Sequence, residues 1–345
     1  MDELNRRTLS DYLRQPMEHI GGDLLGPSQR ITLLKAMVGL PHELTKGCVA
    51  WEFRLAEDAS PDADISFRFS TVDNTKDDLL DLGVLNEGPT EARAMHDYLT
   101  KHRRDKNGLW SVMDNVWVEY DQGQHHFSAV YFGLVCPENQ MRICLDRCCK
   151  QFSSVSSHSD TSKLLVQKLG SLTRLQIGLM NGRPDQPIRA CPVFKNGSSI
   201  RPYLESLDLK FCLREIDDYI SDFQKKGCSF ILQLDFTDRV LPRIGLEIHF
   251  NYPEPSFMDR ANYVLERLTT EGLCSDTKRS ALTRFPGVSL VLPDRTPPFF
   301  EQSAASIGYN PVCLERGLGY VKIVFEPEHQ AVAKAYVASF YRKVQ

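Results

Sequence analysis

One unit recurs five times along this chain and limits what it can fold into: two segments that alternate apolar and polar residues, joined by a short turn. Alternation with a period of two marks a strand that buries one face. In 48–55 the residues Val49, Trp51, Phe53 and Leu55 share a face, and in 64–72 so do Ile65, Phe67 and Phe69. The unit returns as 115–121 with 126–136, 172–180 with 187–194, 229–236 with 240–251, and 320–325 with 333–341. Connectors such as Gln122-Gly123-Gln124 and Thr237-Asp238-Arg239 leave room only for antiparallel hairpins.

Between hairpins the period becomes helical. Leu209, Leu213, Ile216, Tyr219, Ile220 and Phe223 recur at three- and four-residue spacing, and Gly227 is a stop signal. Ser256 can cap a helix carrying Ala261, Val264, Leu265 and Leu268 that ends at Gly272, and Thr90 can cap another carrying Met95 and Leu99. Segments 28–38 and 160–169 supply two more. A doubly wound parallel sheet needs single strands between its helices, and here the strands come in hairpins. Ten strands with helices outside can instead close into an antiparallel α/β barrel of five α-β-β-α units, which leaves no exposed edge. No linker divides residues 1–345, so one domain is expected. The Pro- and Gly-rich stretch 285–316 reads as a long loop over one barrel end.

With helices on the outside, the apolar strand faces point outward and the polar faces line the lumen. On 240–251, Ile244, Leu246, Ile248 and Phe250 face out while Arg243, Glu247 and His249 face in, with Gly245 leaving space. The same rule turns Glu52, Arg68, Trp117, Tyr131, Arg174, Gln176, Arg189, Gln233, Asp235, Tyr320, Lys322, Lys334 and Tyr336 inward. Packed barrel cores are filled by Val, Ile and Leu instead. Buried charge is costly unless it is paired or bound. A lumen with this many cations could cradle a multivalent anion such as a diphosphate. Its aromatic residues could shield a carbocation. The opposite facing would leave the charges merely solvated, as on a one-sided antiparallel sheet.

The residues on these strands resemble those of the ABBA aromatic prenyltransferases, in the indole (dimethylallyltryptophan synthase-like) and cyanobactin-type peptide branches. The local matches are Trp51-Glu52-Phe53-Arg54, then Phe67-Arg68-Phe69-Ser70, and Lys334-Ala335-Tyr336 on the last strand. The resemblance implies a ten-stranded prenyltransferase barrel that moves an isoprenyl group from an allylic diphosphate to an electron-rich aromatic or peptide acceptor. It makes Glu52 the catalytic acid–base group holding the acceptor N–H. It makes Arg68, Arg189, Arg243, Lys322, Lys334, Tyr336 and Tyr131 the diphosphate ligands. Trp117, Arg174, Gln176, Gln233, Glu247, His249 and Tyr320 remain as acceptor or lumen residues. The allylic diphosphate is a co-substrate, and Mg²⁺ could accompany it.

This sequence also departs from that pattern. Where the resemblance calls for Lys and Tyr, the fourth strand offers Ala129 and Tyr131, the sixth Arg189, Cys191 and Val193, and the eighth Gly245, Glu247 and His249. Those losses keep two other readings open: a non-catalytic barrel that binds a peptide or small hydrophobic ligand, and an enzyme of another class using His249. The run Asp77-Asp78-Leu79-Leu80-Asp81 spells a magnesium–diphosphate motif of all-helical terpenoid synthases, but the strand content points to a solvated helix start. Cys144, Cys148 and Cys149 lack a second ligand pair for zinc, and His125-His126 falls on a turn.

Charge and hydropathy exclude other classes. With 41 Lys and Arg against 45 Asp and Glu, the chain has no general excess of base for nucleic acid. No apolar window is long enough to span a membrane as a helix. The first residues show no export signal, so the ten cysteines read as free thiols in a reducing cytoplasm.

Overall fold

The computed structural model describes residues 8–38, 47–56, 63–70, 109–120, 128–153, 159–170, 172–180, 185–194, 196–292 and 311–344, with isolated positions between them. Strands β1 (Cys48–Arg54), β2 (Asp64–Ser70), β3 (Met113–Tyr120), β4 (Ala129–Val135), β5 (Arg174–Leu179), β6 (Ile188–Phe194), β7 (Ser229–Phe236) and β8 (Val240–His249) follow one another as antiparallel neighbours. The short β9 (Gly287–Leu290) precedes β10 (Val312–Phe325) and β11 (Val332–Lys343). β8 pairs with β10, β10 with β11, and β11 with β1, so ten strands close into a ring. All five expected hairpins are present.

The facing follows the alternation. Trp51, Phe53, Phe67, Phe69, Phe132, Phe230, Leu246, Ile248 and Val337 belong to one outer apolar core with helical residues such as Ile216, Phe223, Val264 and Leu265. A large apolar side chain fully buried in this way is worth about 1.5–3 kcal/mol. Trp51 also meets Phe285 edge to face, with centroids 6.5 Å apart. Cohesion therefore comes from the layer between strands and helices, and the lumen is free to be polar.

Helix Leu213–Gln224 buries Leu213, Ile216, Tyr219, Ile220 and Phe223, the expected stripe, while Leu209 lies ahead of it. Gly227 adopts φ 84° and Gly272 φ 75°, conformations that favour glycine where each helix gives way to the next segment. Ser256 occupies the N-cap of Phe257–Thr270 but makes no side-chain cap hydrogen bond. Helices Pro27–Ala36 and Ser159–Leu169 match the other two expected segments.

The expectation of a long loop over 285–316 needs correction at both ends. Gly287–Leu290 forms β9, which pairs with Cys313–Arg316 of a β10 that begins eight residues before the expected start at Tyr320. A bulge hid this extension. Leu318 pairs with Val337 and Tyr320 with Tyr336, so two steps along β10 match one along β11. The bulge at Gly319 puts Leu318 in the outer core and Tyr320 in the lumen, although plain alternation would give them the same face. Thr90, the 77–81 acidic run and His125-His126 lie outside the described residues.

Candidate functional site

Within the barrel lies a cavity of about 760 Å³. Its wall includes Cys48, Asn115, Arg174, Ser229, His249 and Phe340, which stand where strands connect to helices, so the cavity occupies the half of the barrel away from the hairpin turns. Arg68, Trp117, Tyr131, Gln176, Gln233, Glu247, Tyr320, Lys322 and Tyr336 complete it, and the inward facing holds for all of them.

Aromatic rings dominate one side. Tyr320 and Tyr336 stack with centroids 4.2 Å apart and planes 13° from parallel, and His249 stacks on the other neighbour, Tyr320, at 4.5 Å and 21°. The ammonium of Lys322 lies 4.8 Å from the Tyr336 ring centre. Across the lumen the Arg68 guanidinium sits 5.8 Å from the Trp117 ring centre. Tyr131 packs with Ala129, Met180 and Cys191 in a small apolar cluster inside the barrel. Burial pushes the hydroxyls of Tyr131 and Tyr320 well above the usual tyrosine range, so both stay neutral hydrogen-bonding groups.

Most of the cations expected to hold diphosphate are paired with carboxylates. Arg189 is bound by Asp235 through Nε–Oδ1 at 2.7 Å and Nη2–Oδ2 at 2.8 Å, with a longer contact of 3.4 Å to the Tyr131 hydroxyl. Arg243 joins the same carboxylate at 3.3 Å and reaches Glu326 at 2.8 Å. Lys322 lies 3.2 Å from both Glu52 Oε2 and Gln233 Oε1, and Lys334 closes on Glu52 Oε1. Arg189, Arg243, Lys334 and Glu52 are absent from the cavity wall. They form a polar plug toward the hairpin turns.

Glu52 also departs from the role of a free base. Burial opposes its ionisation, but the ammonium groups of Lys322 and Lys334 outweigh that and hold the carboxyl far below its ordinary range. Burial pulls Lys322 down to about 8, against the attraction of Glu52 and with help from repulsion by Lys334.

The plug connects to the cavity through one chain of contacts. Lys322 bonds Gln233, Gln233 bonds Glu247, and Glu247 Oε2 lies 2.8 Å from His249 Nε2. Arg174 stands at the mouth, 58% exposed and 3.5 Å from Asp114, a pair worth little in water. Gln176 reaches Asn115 at 3.4 Å. Sequence reasoning missed Asp114, Asn251 and Tyr252 at the mouth, because each lies at or beyond a strand end where alternation carries no information, and it also missed Phe340, which shares the face of Lys334 and Tyr336 farther along β11. Fully charged groups on the wall balance: Arg68, Arg174 and Lys322 face Asp114, Glu119 and Glu247. Among the described residues no group of three or more His, Cys, Asp or Glu side chains is arranged to hold a metal ion.

No family model matches the sequence, and no curated protein matches it either. Solved structures do. The NotF prenyltransferase superposes with a TM-score of 0.53 at 7% identity, over 95% of this chain and 91% of that one. The prenyltransferase PriB, in a binary complex with product diphosphate, gives 0.51 at 10% identity over 96% of both chains. The 5-dimethylallyltryptophan synthase from Streptomyces coelicolor gives 0.49 at 12% identity, over 96% of this chain and 98% of that one. This chain has the prenyltransferase-barrel fold. At such identities the likeness fixes architecture alone, and the chemistry has to be argued from the lumen. No helix among the described residues is long and apolar enough to cross a membrane.

Proposed function

We propose that this barrel is an enzyme that transfers an isoprenyl group from an allylic diphosphate to an electron-rich aromatic acceptor, free or on a peptide. The observation that carries the reading is the aromatic wall. Tyr336, Tyr320 and His249 form a continuous stack facing Trp117 and Tyr131 across a cavity large enough for both substrates. Such a wall attracts an allylic cation and keeps out the water that would quench it. The same architecture in PriB accommodates a diphosphate, in its complex with that product.

In this reading Arg68 and Lys322, the two cations set among the aromatic rings, face the leaving diphosphate and stabilise its growing charge. Glu52 positions Lys322 and Lys334 and does not itself take the proton. Arg189 and Arg243 brace the plug. Mg²⁺, if it enters, comes with the diphosphate. We place the protein in the cytoplasm on the strength of its cysteine usage.

A second reading has one specific observation behind it. With three acidic groups against three basic ones, the wall does not attract a diphosphate by net charge. That favours a barrel that binds a neutral peptide or small hydrophobic ligand without turnover. Incubation with dimethylallyl, geranyl and farnesyl diphosphates plus tryptophan- and tyrosine-containing acceptors, with and without Mg²⁺, separates the two. Added isoprene mass on the acceptor supports transfer. No diphosphate release, together with no thermal protection by any donor, would sink it.

A further inference from the structure

Resting on the transfer reading above, we infer that His249 is the group that takes the acceptor's proton, with Glu247 as its positioning residue. The two side chains project from the same face of β8, two residues apart, and Glu247 Oε2 lies 2.8 Å from His249 Nε2. An ionised carboxylate is only an acceptor, so the proton of a neutral imidazole belongs on Nε2 and the lone pair on Nδ1. The dyad thus presents a basic nitrogen whose tautomer is fixed, the arrangement that serves nucleophile and acceptor activation in unrelated enzymes.

Glu247 is itself held from behind. It is 95% out of contact with solvent, since its exposure is 5%, and Gln233 donates to its other oxygen, Oε1. Gln233 in turn accepts from Lys322. The imidazole plane is fixed by its stack on Tyr320, which the bulge at Gly319 delivers to the lumen. His249 lines the cavity with 26% of its side chain exposed, whereas Glu52 is outside the wall and committed to two ammonium groups. Of the two candidate bases, the imidazole keeps one nitrogen outside its bond to Glu247 and a face on the cavity, while both Glu52 oxygens are taken by ammonium groups.

The C–O bond of the allylic diphosphate breaks and its electron pair leaves with the diphosphate. A π pair of the acceptor ring forms the new C–C bond to the allylic carbon. The proton on the alkylated ring atom passes to His249 Nδ1, restoring aromaticity, and the resulting imidazolium is stabilised by Glu247 until it loses the proton to solvent. A removed general base costs roughly 10²–10⁴-fold.

The test measures two quantities on each variant: diphosphate released from the donor and isoprene mass gained by the acceptor. With His249→Ala, acceptor alkylation should fall about 10²-fold or more. Diphosphate release should fall far less, as water captures the cation, and added imidazole should restore part of the alkylation. With Glu247→Gln, kcat should fall while the acceptor KM stays within about threefold, because the amide can no longer fix the proton on Nε2. Circular dichroism melts of both variants, and a His249→Asn variant of similar shape, exclude loss of fold as the cause. Alkylation by His249→Ala within about threefold of wild type overturns the inference and leaves the transfer reading intact. So does an equal loss of release and alkylation with no imidazole rescue. A wild-type protein that releases no diphosphate and gains no thermal protection from any donor overturns both.

Discussion

Arg189 on β6 and Asp235 on β7 meet through two parallel N–H···O bonds of 2.7 and 2.8 Å, at 1% and 4% side-chain exposure. They are also directly opposed in the strand register. For a diphosphate to reach this guanidinium it would have to displace a carboxylate held in bidentate geometry. The plug it belongs to lies toward the hairpin end of the barrel, and the cavity occupies the other half.

Asp235→Asn should therefore act on stability. Losing one partner of a buried pair costs about 3–5 kcal/mol, since Arg189 and Arg243 would remain buried with half their acceptors gone. Burial raises the Asp235 pKa, but Arg189 and Arg243 prevail and lower it to about 2. A carboxylate held below its unfolded value contributes stability above that value and loses it as pH falls through the folded one. Urea unfolding should show the full gap between wild type and variant above about pH 4, shrinking toward pH 2. A gap that is constant from pH 6 to pH 2 would contradict the assignment.

Arg68 should behave in the opposite manner. It is half-buried, it makes no ion pair among the described residues, and its guanidinium lies 5.8 Å from the Trp117 ring centre. Such a cation–π contact is worth roughly 0.5–1 kcal/mol. Arg68→Ala should lower the melting free energy by no more than about 1 kcal/mol. Thermal protection by inorganic pyrophosphate should need roughly tenfold more ligand, the loss of one charge-assisted contact. If the variant unfolds and pyrophosphate protection is unchanged, Arg68 belongs to the scaffold.

The period-two pattern made the hairpins and their facing readable, because every strand of a helix-clad barrel has one greasy and one polar side. Partner identity was not readable in the same way. Glu52 meets Lys322 and Lys334 across strands 270 and 282 residues away, contacts that exist only once β11 closes on β1. Given closure, the register sets Glu52 opposite Tyr336 and Arg54 opposite Lys334, so Lys334 lies one diagonal step from the carboxylate that takes it. Strand β9 and the early part of β10 escaped because Gly287, Gly317 and Gly319 interrupt the alternation, and Val288 and Leu290 are exposed. His249 was visible as a lumen residue, but its dyad with Glu247 depends on rotamers that no pattern encodes.

Gly178 tests how closely the lumen wall is packed. A Cβ placed there would lie 2.5 Å from Cδ1 and Cε1 of Tyr131, whose ring lies against the β5 backbone. Gly178→Ala should cost about 1–3 kcal/mol, as expected for forcing a methyl into a filled site. Combining it with Tyr131→Leu should cost less than the sum of the two single changes by about 1 kcal/mol or more, because each relieves the other. Strict additivity in a double-mutant cycle would show that the two positions do not touch.

Glu52→Gln distinguishes a positioning carboxylate from a catalytic one. Glu52 is the carboxylate that both Lys322 and Lys334 pair with. Its removal leaves two buried ammonium groups facing each other, at a cost of up to about 3–5 kcal/mol. Part of that is relieved because Lys322, already pulled down to about 8, gives up its proton more readily. An anion entering the lumen would then meet lysine charge that Glu52 no longer cancels. Pyrophosphate should bind the variant roughly tenfold more tightly, about 1.4 kcal/mol, and should raise its melting temperature by more than it raises that of wild type. A free base at this position would give the reverse signature: unchanged pyrophosphate affinity, near-native stability and a loss confined to turnover. The two outcomes differ in sign on a measurement that needs no acceptor, so the role of Glu52 can be decided before the acceptor is known.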